Sequence, residues 1–191
     1  MTAPLRAGLV GVGMMGRNHA RVLASLERVD LVAIADPGGD RHQVAGGREV
    51  LGSVDELISM GVDYVVVACP TAFHLEVGLA LASAGVHALV EKPLADTAVG
   101  ARQLADAFDA AGLVGAVGHI ERYNPALQSA RRRLEEGELG EVYQVVTRRQ
   151  GPFPGRIADV GVVKDLATHD IDLTAWVTQL PFVTVAAQTA H

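Results

Sequence analysis

The run Leu9-Val10-Gly11-Val12-Gly13-Met14-Met15-Gly16-Arg17-Asn18-His19 restricts the fold of this chain more than any other stretch. An apolar segment breaks into three glycines, after which apolar residues return with helical spacing at Ala20, Val22, Leu23 and Leu26. This reads as a strand, a tight turn and a helix start. In such a unit Gly11 permits the turn, Gly13 lets a pyrophosphate approach the backbone, and Gly16 lets the helix lie close on the strand. The phosphates would rest on the first N–H groups and the positive dipole end of the helix, with Met14 and Met15 in the same turn. A G-x-G-x-x-G pattern means little alone. Here the strand before it, Leu5 to Val10, and the helix after it supply the required context.

The next apolar run, Leu31-Val32-Ala33-Ile34-Ala35, ends at Asp36-Pro37-Gly38-Gly39 and reads as a buried parallel strand stopped by a turn. Asp36 follows Gly16 by twenty residues, where a carboxylate accepts hydrogen bonds from the adenosine ribose and repels a 2′-phosphate. NAD is therefore favoured over NADP, with Arg41 leaving some tolerance for the latter. Residues 40–62 are interrupted by Gly46, Gly47 and Gly52, and only Ser53 to Ile58 reads as a capped helix, with Glu56 three residues after Ser53. Asp63 to Ala68, Val86 to Val90 and Leu113 to Gly118 are further strands. Helices over 74–84 and from Ala95-Asp96-Thr97 to Ala111 lie between them. About six strands alternating with helices over residues 5–118 predict an α/β doubly wound parallel sheet of the Rossmann type.

Open sheets of this kind bind ligands at the carboxyl ends of their strands. Two strand ends deliver polar residues there, Pro70, Thr71 and His74 from one and Glu91-Lys92-Pro93 from the other. Of these, Pro70, Thr71, His74, Glu91 and Lys92 are candidate cofactor contacts, His74 having the alternative of bordering the next helix. Lys92 in a ligand crevice can act on a hydroxyl, because burial and a neighbouring cation or dipole can lower an ammonium's pKa. Cys69 reads as a small buried apolar residue. As the only cysteine, it excludes a disulfide within the chain and a thiolate-rich metal site.

The net charge of −6 offers no basic surface for nucleic acid. No apolar stretch approaches ~18 residues and the N-terminus has no secretory pattern, so a cytoplasmic protein without a membrane span is expected.

Beyond Gly118 the texture changes. Ala126 to Glu136 is a polar amphipathic helix, in which Arg131-Arg132-Arg133 beside Glu135, Glu136 and Glu138 forms a solvated face. Val142 to Arg149 alternates as a half-buried strand does, Gly151-Pro152-Phe153-Pro154-Gly155 is a loop, Val162 to Thr178 has helical spacing, and Phe182 to Ala186 reads as another strand. Asp165 and His169, four apart, share one face of that helix. Two such ligands without a third make no metal site, and no nucleophile elbow accompanies the histidine.

The glycine run from Gly11 to His19, then Glu91-Lys92-Pro93-Leu94-Ala95, then Asp165-x-x-x-His169-Asp170 resemble, in order and spacing, the Gfo/Idh/MocA oxidoreductases. The resemblance implies an NAD(P)-dependent dehydrogenase of sugars, inositols or nucleotide sugars. It makes Lys92 the active-site lysine beside the nicotinamide, which holds and polarises the substrate oxygen. It makes His169 the acid/base, and Asp165 the residue that fixes geometry and charge around them. Arg122, Tyr123 and Asn124 contact substrate or form an interdomain hydrogen-bond network. Gly118 to Pro125 and Gly151 to Pro154 are similar to the subgroup acting on UDP-N-acetylated hexoses or their uronic acids.

The fold so implied is a Rossmann domain over residues 1–121 and an incomplete α+β domain over 122–191. Only about two strands of the second domain's open antiparallel sheet are expected before the sequence reaches Gln188 to His191. Such an unprotected edge favours association, so a homo-oligomer through that sheet is expected. The competing expectation is a non-catalytic NAD-binding module that works by associating with itself or a partner.

Overall fold

The computed structural model describes residues 3–150, 161 and 163–188. The loop from Gly151 to Gly155, Val162 at the head of the predicted helix, and Thr189 to His191 lie outside them. The chain divides into two compact units, Met1–Gly118 and His119–His191.

The first unit is a six-stranded parallel sheet, built from β1 (Leu5–Val10), β2 (Val29–Ala35), β3 (Val50–Leu51), β4 (Tyr64–Val67), β5 (His87–Val90) and β6 (Gly115–Val117). The spatial order is β3-β2-β1-β4-β5-β6, so the chain switches sides between β1 and β4, which opens a crevice at their carboxyl ends. The helices α1 (Met14–Leu23), α2 (Val54–Ser59), α3 (His74–Ser83) and α4 (Ala98–Ala110) connect the strands. Both faces of the sheet are covered, which is why its strands read as unbroken apolar runs. Side chains alternate between two cores: Val10, Ala33, Ala35, Val65 and Val67 pack with Leu57, Leu81, Leu104 and Phe108 on one face. Ala7, Leu9, Leu31, Ile34 and Val66 pack with Ala20 and Leu23 of α1 on the other. Thr97 and Ser53 cap α4 and α2, accepting from Gly100 and Glu56 N–H. Gly112, at φ +64°, ends α4 in the left-handed conformation that glycine adopts without penalty.

The connection from β2 to β3 holds no helix, in keeping with its interrupting Gly46 and Gly47. One feature of this unit departs from the sequence reading: β3 was not anticipated. It is only two residues long, too short for any periodic signal, and exists because Ile34 and Ala35 offer Val50 and Leu51 a parallel edge.

The second unit is helical among its described residues. Its α5 (Pro125–Glu135) starts at Asn124, whose Oδ1 accepts from Ala126 N–H, with Pro125 in the first turn. A π-helical turn over Val163–Ala167 runs directly into α6 (Thr168–Thr178). The arginine triplet is solvated as expected: Arg131 pairs with Glu135 at 2.8 Å and lies over the Trp176 ring at 4.6 Å, and Arg133 pairs with Glu138 at 2.6 Å.

The strands expected over Val142 to Arg149 and Phe182 to Ala186 are not formed; among the described residues neither segment joins a sheet. Tyr143 is 90% exposed and Val183 94%. Alternation marks a face fit for burial, but a strand also needs an edge to bond to. The boundary between units falls after Gly118 rather than after Glu121. His119, Glu121 and Arg122 are tied to the second unit, through Asp172, Arg149 and Asp172 respectively.

Candidate functional site

The glycine turn has the geometry that its pattern demands. Gly11 lies at φ +92°, and a Cβ there would stand 2.6 Å from Cys69 N and 2.7 Å from the Ala68 carbonyl carbon. A Cβ on Gly16 would fall 1.9 Å from the Gly11 carbonyl oxygen, so helix and turn touch through bare backbone. Gly13 differs from both: nothing lies within 4 Å of where its Cβ would be. That open space sits at the N-cap of α1, which gives no side-chain cap to the first-turn N–H groups. An anion fits there against helix dipole and amides. Gly13→Ala is accordingly expected to leave stability within about 0.5 kcal/mol of wild type while weakening NAD binding at least about tenfold. Thermal melts and NADH fluorescence titration check this; unchanged affinity would contradict it.

Asp36 sits at the end of β2. Its Oδ2 accepts from Val12 N–H at 2.9 Å and its Oδ1 from Gly38 N–H at 2.8 Å. The carboxylate thus holds the glycine turn in place, and each oxygen retains a second lone pair for a ligand. Two clefts meet at Asp36. One, of about 530 Å³, runs between the ends of β1, β2 and β4, walled by Val54, Cys69, Pro70, Phe73 and Val77. The other, of about 280 Å³, holds Gly13, Gly39, Arg41 and His42. An apolar wall beside a polar turn suits an adenosine moiety. Val54, Phe73 and Val77 carried no sequence signal, because their role depends on where β3 and α3 begin. Met14 and Met15 are exposed at the start of α1. Burial, with the charge of Asp36, pushes the Cys69 thiol up to about 11, so it remains a thiol that packs.

Among the described residues the buried polar side chains are Thr71, His74 and Glu91, all at the ends of β4 and β5. Glu91, 6% exposed, accepts from His19 Nε2 at 2.7 Å and from Lys92 N–H at 3.2 Å. Lys92 itself is half-buried. Burial pushes the Glu91 carboxyl up, but the hydrogen bond and charge of His19, the Lys92 amide and the Lys92 charge together hold it below its ordinary value of 4.5. His19, 72 residues away in sequence, was not foreseen as this partner; only its place on α1 near the glycine turn hinted at it.

The sign of the pH effect follows from that direction. Glu91 is depressed in the folded chain, so its stabilisation is complete above 4.5 and is lost as pH falls through the lower folded value. Glu91→Gln is expected to destabilise the protein at neutral pH and progressively less below pH 4.5. Melting temperatures of both proteins from pH 7 to 4 check it; a constant difference would contradict it.

The ring of His74 is turned into the protein. It is 1% exposed, with Nδ1 2.9 Å from the Pro93 carbonyl oxygen and Nε2 2.9 Å from that of Cys69. Both ring nitrogens thus face carbonyls, and the place of His74 at the start of α3 fits the alternative that it borders the next helix.

In the second unit, Asp165 lies in the π-helical turn, where its N–H donates to Gly161 O at 3.0 Å, and His169 lies in the first turn of α6. The two share one continuous helical segment, as their spacing predicted. Asp172, at the next helical repeat after His169, accepts from Arg122 Nε at 2.9 Å and again from Arg122 Nη2, with His119 Nδ1 3.5 Å away. That pairing raises the Arg122 pKa above its ordinary value against the opposing effect of burial. Arg149 joins Asp170 at 3.0 Å to Glu121 at 3.0 Å. Arg122 and Asn124 thus have partners within their own unit, and Tyr123 is exposed.

A family model described as "Oxidoreductase family, NAD-binding Rossmann fold" matches residues 5–119, and the GFO/IDH/MocA C-terminal domain matches 127–191. The chain belongs to the Gfo/Idh/MocA oxidoreductase family. Its first unit is the family's NAD-binding Rossmann domain. It is 34% identical over 186 residues to UDP-N-acetylglucosamine 3-dehydrogenase of Acidithiobacillus ferrooxidans, covering 96% of this chain and 57% of that protein. It is 30% identical to scyllo-inositol 2-dehydrogenase (NAD(+)) of Bacillus subtilis, covering 92% and 54%. The structure of the WlbA dehydrogenase from Bordetella pertussis, in complex with NADH and UDP-GlcNAcA, superposes with a TM-score of 0.79 at 29% identity, covering 92% of this chain and 55% of that one. The chain spans about half the length of the curated relatives it matches.

Proposed function

We propose that the chain serves an NAD-dependent dehydrogenase that oxidises a ring carbinol of a UDP-N-acetylated hexose or its uronic acid. The observation that carries this reading is the placement of Lys92 at the carboxyl edge of the sheet, the edge that also holds a glycine turn shaped for a pyrophosphate, and next to a buried glutamate bonded to His19. Relatives named for UDP-sugar and inositol dehydrogenation support the substrate class, with UDP-sugars favoured by the Acidithiobacillus and Bordetella proteins.

In this reading the amides of Met14, Met15 and Gly16 hold the pyrophosphate, and Asp36 takes the adenosine ribose, which favours NAD over NADP. Pro70, Thr71 and Glu91 border the nicotinamide end, and bound NAD supplies the hydride chemistry. Lys92 donates to the carbinol oxygen and stabilises the charge that develops there. His169 accepts the hydroxyl proton as the carbinol carbon becomes a carbonyl, and Asp165 fixes geometry and charge around it. Arg122, Tyr123 and Asn124 belong to the substrate side. The cytoplasm is the proposed compartment. A homo-oligomer formed through the second unit is the proposed assembly, supported by the exposed apolar residues Val146, Phe182, Val183 and Val185.

The test is NAD reduction by the purified chain with UDP-N-acetylglucosamine, its uronic acid, myo-inositol and scyllo-inositol. Reduction with a UDP-sugar is expected. Tight NAD binding with no reduction by any of the four would overturn the reading.

A further inference from the structure

His74 opens α3, and its ring bridges two loops at the carboxyl edge of the sheet. Nδ1 faces the carbonyl of Pro93, immediately after Lys92, and Nε2 faces the carbonyl of Cys69, just beyond β4, each at 2.9 Å. Both partners are acceptors. A neutral imidazole has one N–H and satisfies one of them; two protons satisfy both. With the ring 1% exposed, neither contact is exchanged for water.

The arrangement around Lys92 is two-sided. Glu91 before it is tied to His19 of α1 at 2.7 Å, and Pro93 after it is tied to His74 of α3 at 2.9 Å. Lys92 is therefore the residue between two anchored neighbours, and the backbone from which its side chain is aimed is fixed from both helices. Packing alone does not require this pattern, since an apolar ring would fill the same volume without engaging either carbonyl.

We propose that His74 is a positioning residue for Lys92, acting through an Nδ1–H hydrogen bond to the Pro93 carbonyl. The proposal rests on the role assigned above to Lys92. Its functional contact is the one to Pro93, whereas the contact to Cys69 serves the fold. The two are separable because an asparagine amide nitrogen reaches roughly where Nδ1 lies, and a glutamine amide nitrogen roughly where Nε2 lies.

His74→Asn and His74→Gln are compared by kcat, by KM for NAD, and by NMR with [ε-13C]lysine. The sequence holds two lysines, Lys92 and Lys164, so two signals are assigned with Lys164→Arg. His74→Gln is expected to lower kcat about 30-fold, keep KM for NAD within about twofold and move the Lys92 signal. His74→Asn is expected to keep kcat within about threefold and leave that signal in place. Equal effects of the two variants, or an unmoved Lys92 signal in folded His74→Gln, would overturn the proposal. Should the glutamine variant not fold, 15N-histidine NMR of the wild-type chain decides: a proton on Nδ1 supports the assignment and a proton on Nε2 alone refutes it. Absence of turnover in the wild type would count against the dehydrogenase reading, while the NMR results would still judge the positioning role.

Discussion

Gly16→Ala is expected to destabilise the chain by about 3 kcal/mol, the upper part of the overpacking range, and to weaken NAD binding about 100-fold. The added methyl would lie 1.9 Å from the Gly11 carbonyl oxygen, a backbone atom of a turn already confined by residues 68 and 69. No rotamer relieves that overlap, so α1 must move off the turn. The amides at its N-terminus then leave the place proposed for the phosphates, which would couple the stability loss to the binding loss. Denaturant unfolding and NADH titration measure the two effects. Gly13→Ala is the matched control, since its methyl enters open space and should lose affinity without stability. Equal stability losses in both variants would show that the turn is simply crowded.

Lys92→Ala should lower turnover about 10³-fold, within the range for a positioned proton-transfer or charge-stabilising group. NAD affinity should change by less than about threefold. The separation follows from position: the phosphate turn and Asp36 belong to the ends of β1 and β2, while Lys92 follows β5. Glu91 loses a favourable neighbouring charge in this variant, so its carboxyl should titrate higher than in the wild type. A large loss of NAD affinity with kcat intact would instead make Lys92 a cofactor anchor.

The parallel sheet was legible because buried strands flanked by helices leave apolar runs, as Ala7 to Val10 and Val65 to Val67 do. The glycine turn was legible for the same reason that it works, since only glycine meets its steric demands at Gly11 and Gly16. β3 was not legible, because two residues carry no period. The strands read into Val142 to Arg149 and Phe182 to Ala186 show the opposite failure: alternation records a face, not a partner.

The histidines were the least readable part of the site. His19 and Glu91 stand in separate motifs, and nothing in either one names the other. His74 was placed correctly at a helix start, yet its ring turns inward to two carbonyls that no side-chain pattern encodes. Backbone acceptors exist at every residue, so a sequence cannot announce which of them a buried histidine will use.

In the proposed reaction hydride leaves a sugar carbinol carbon for NAD. A UDP-N-acetylhexosamine deuterated at the oxidised carbon, followed by mass analysis of the reduced nicotinamide, tests this step. One deuterium is expected in the reduced cofactor, formed by the wild-type chain and lost with Lys92→Ala. Reduced cofactor without deuterium, or equal transfer by the Lys92→Ala variant, would contradict it.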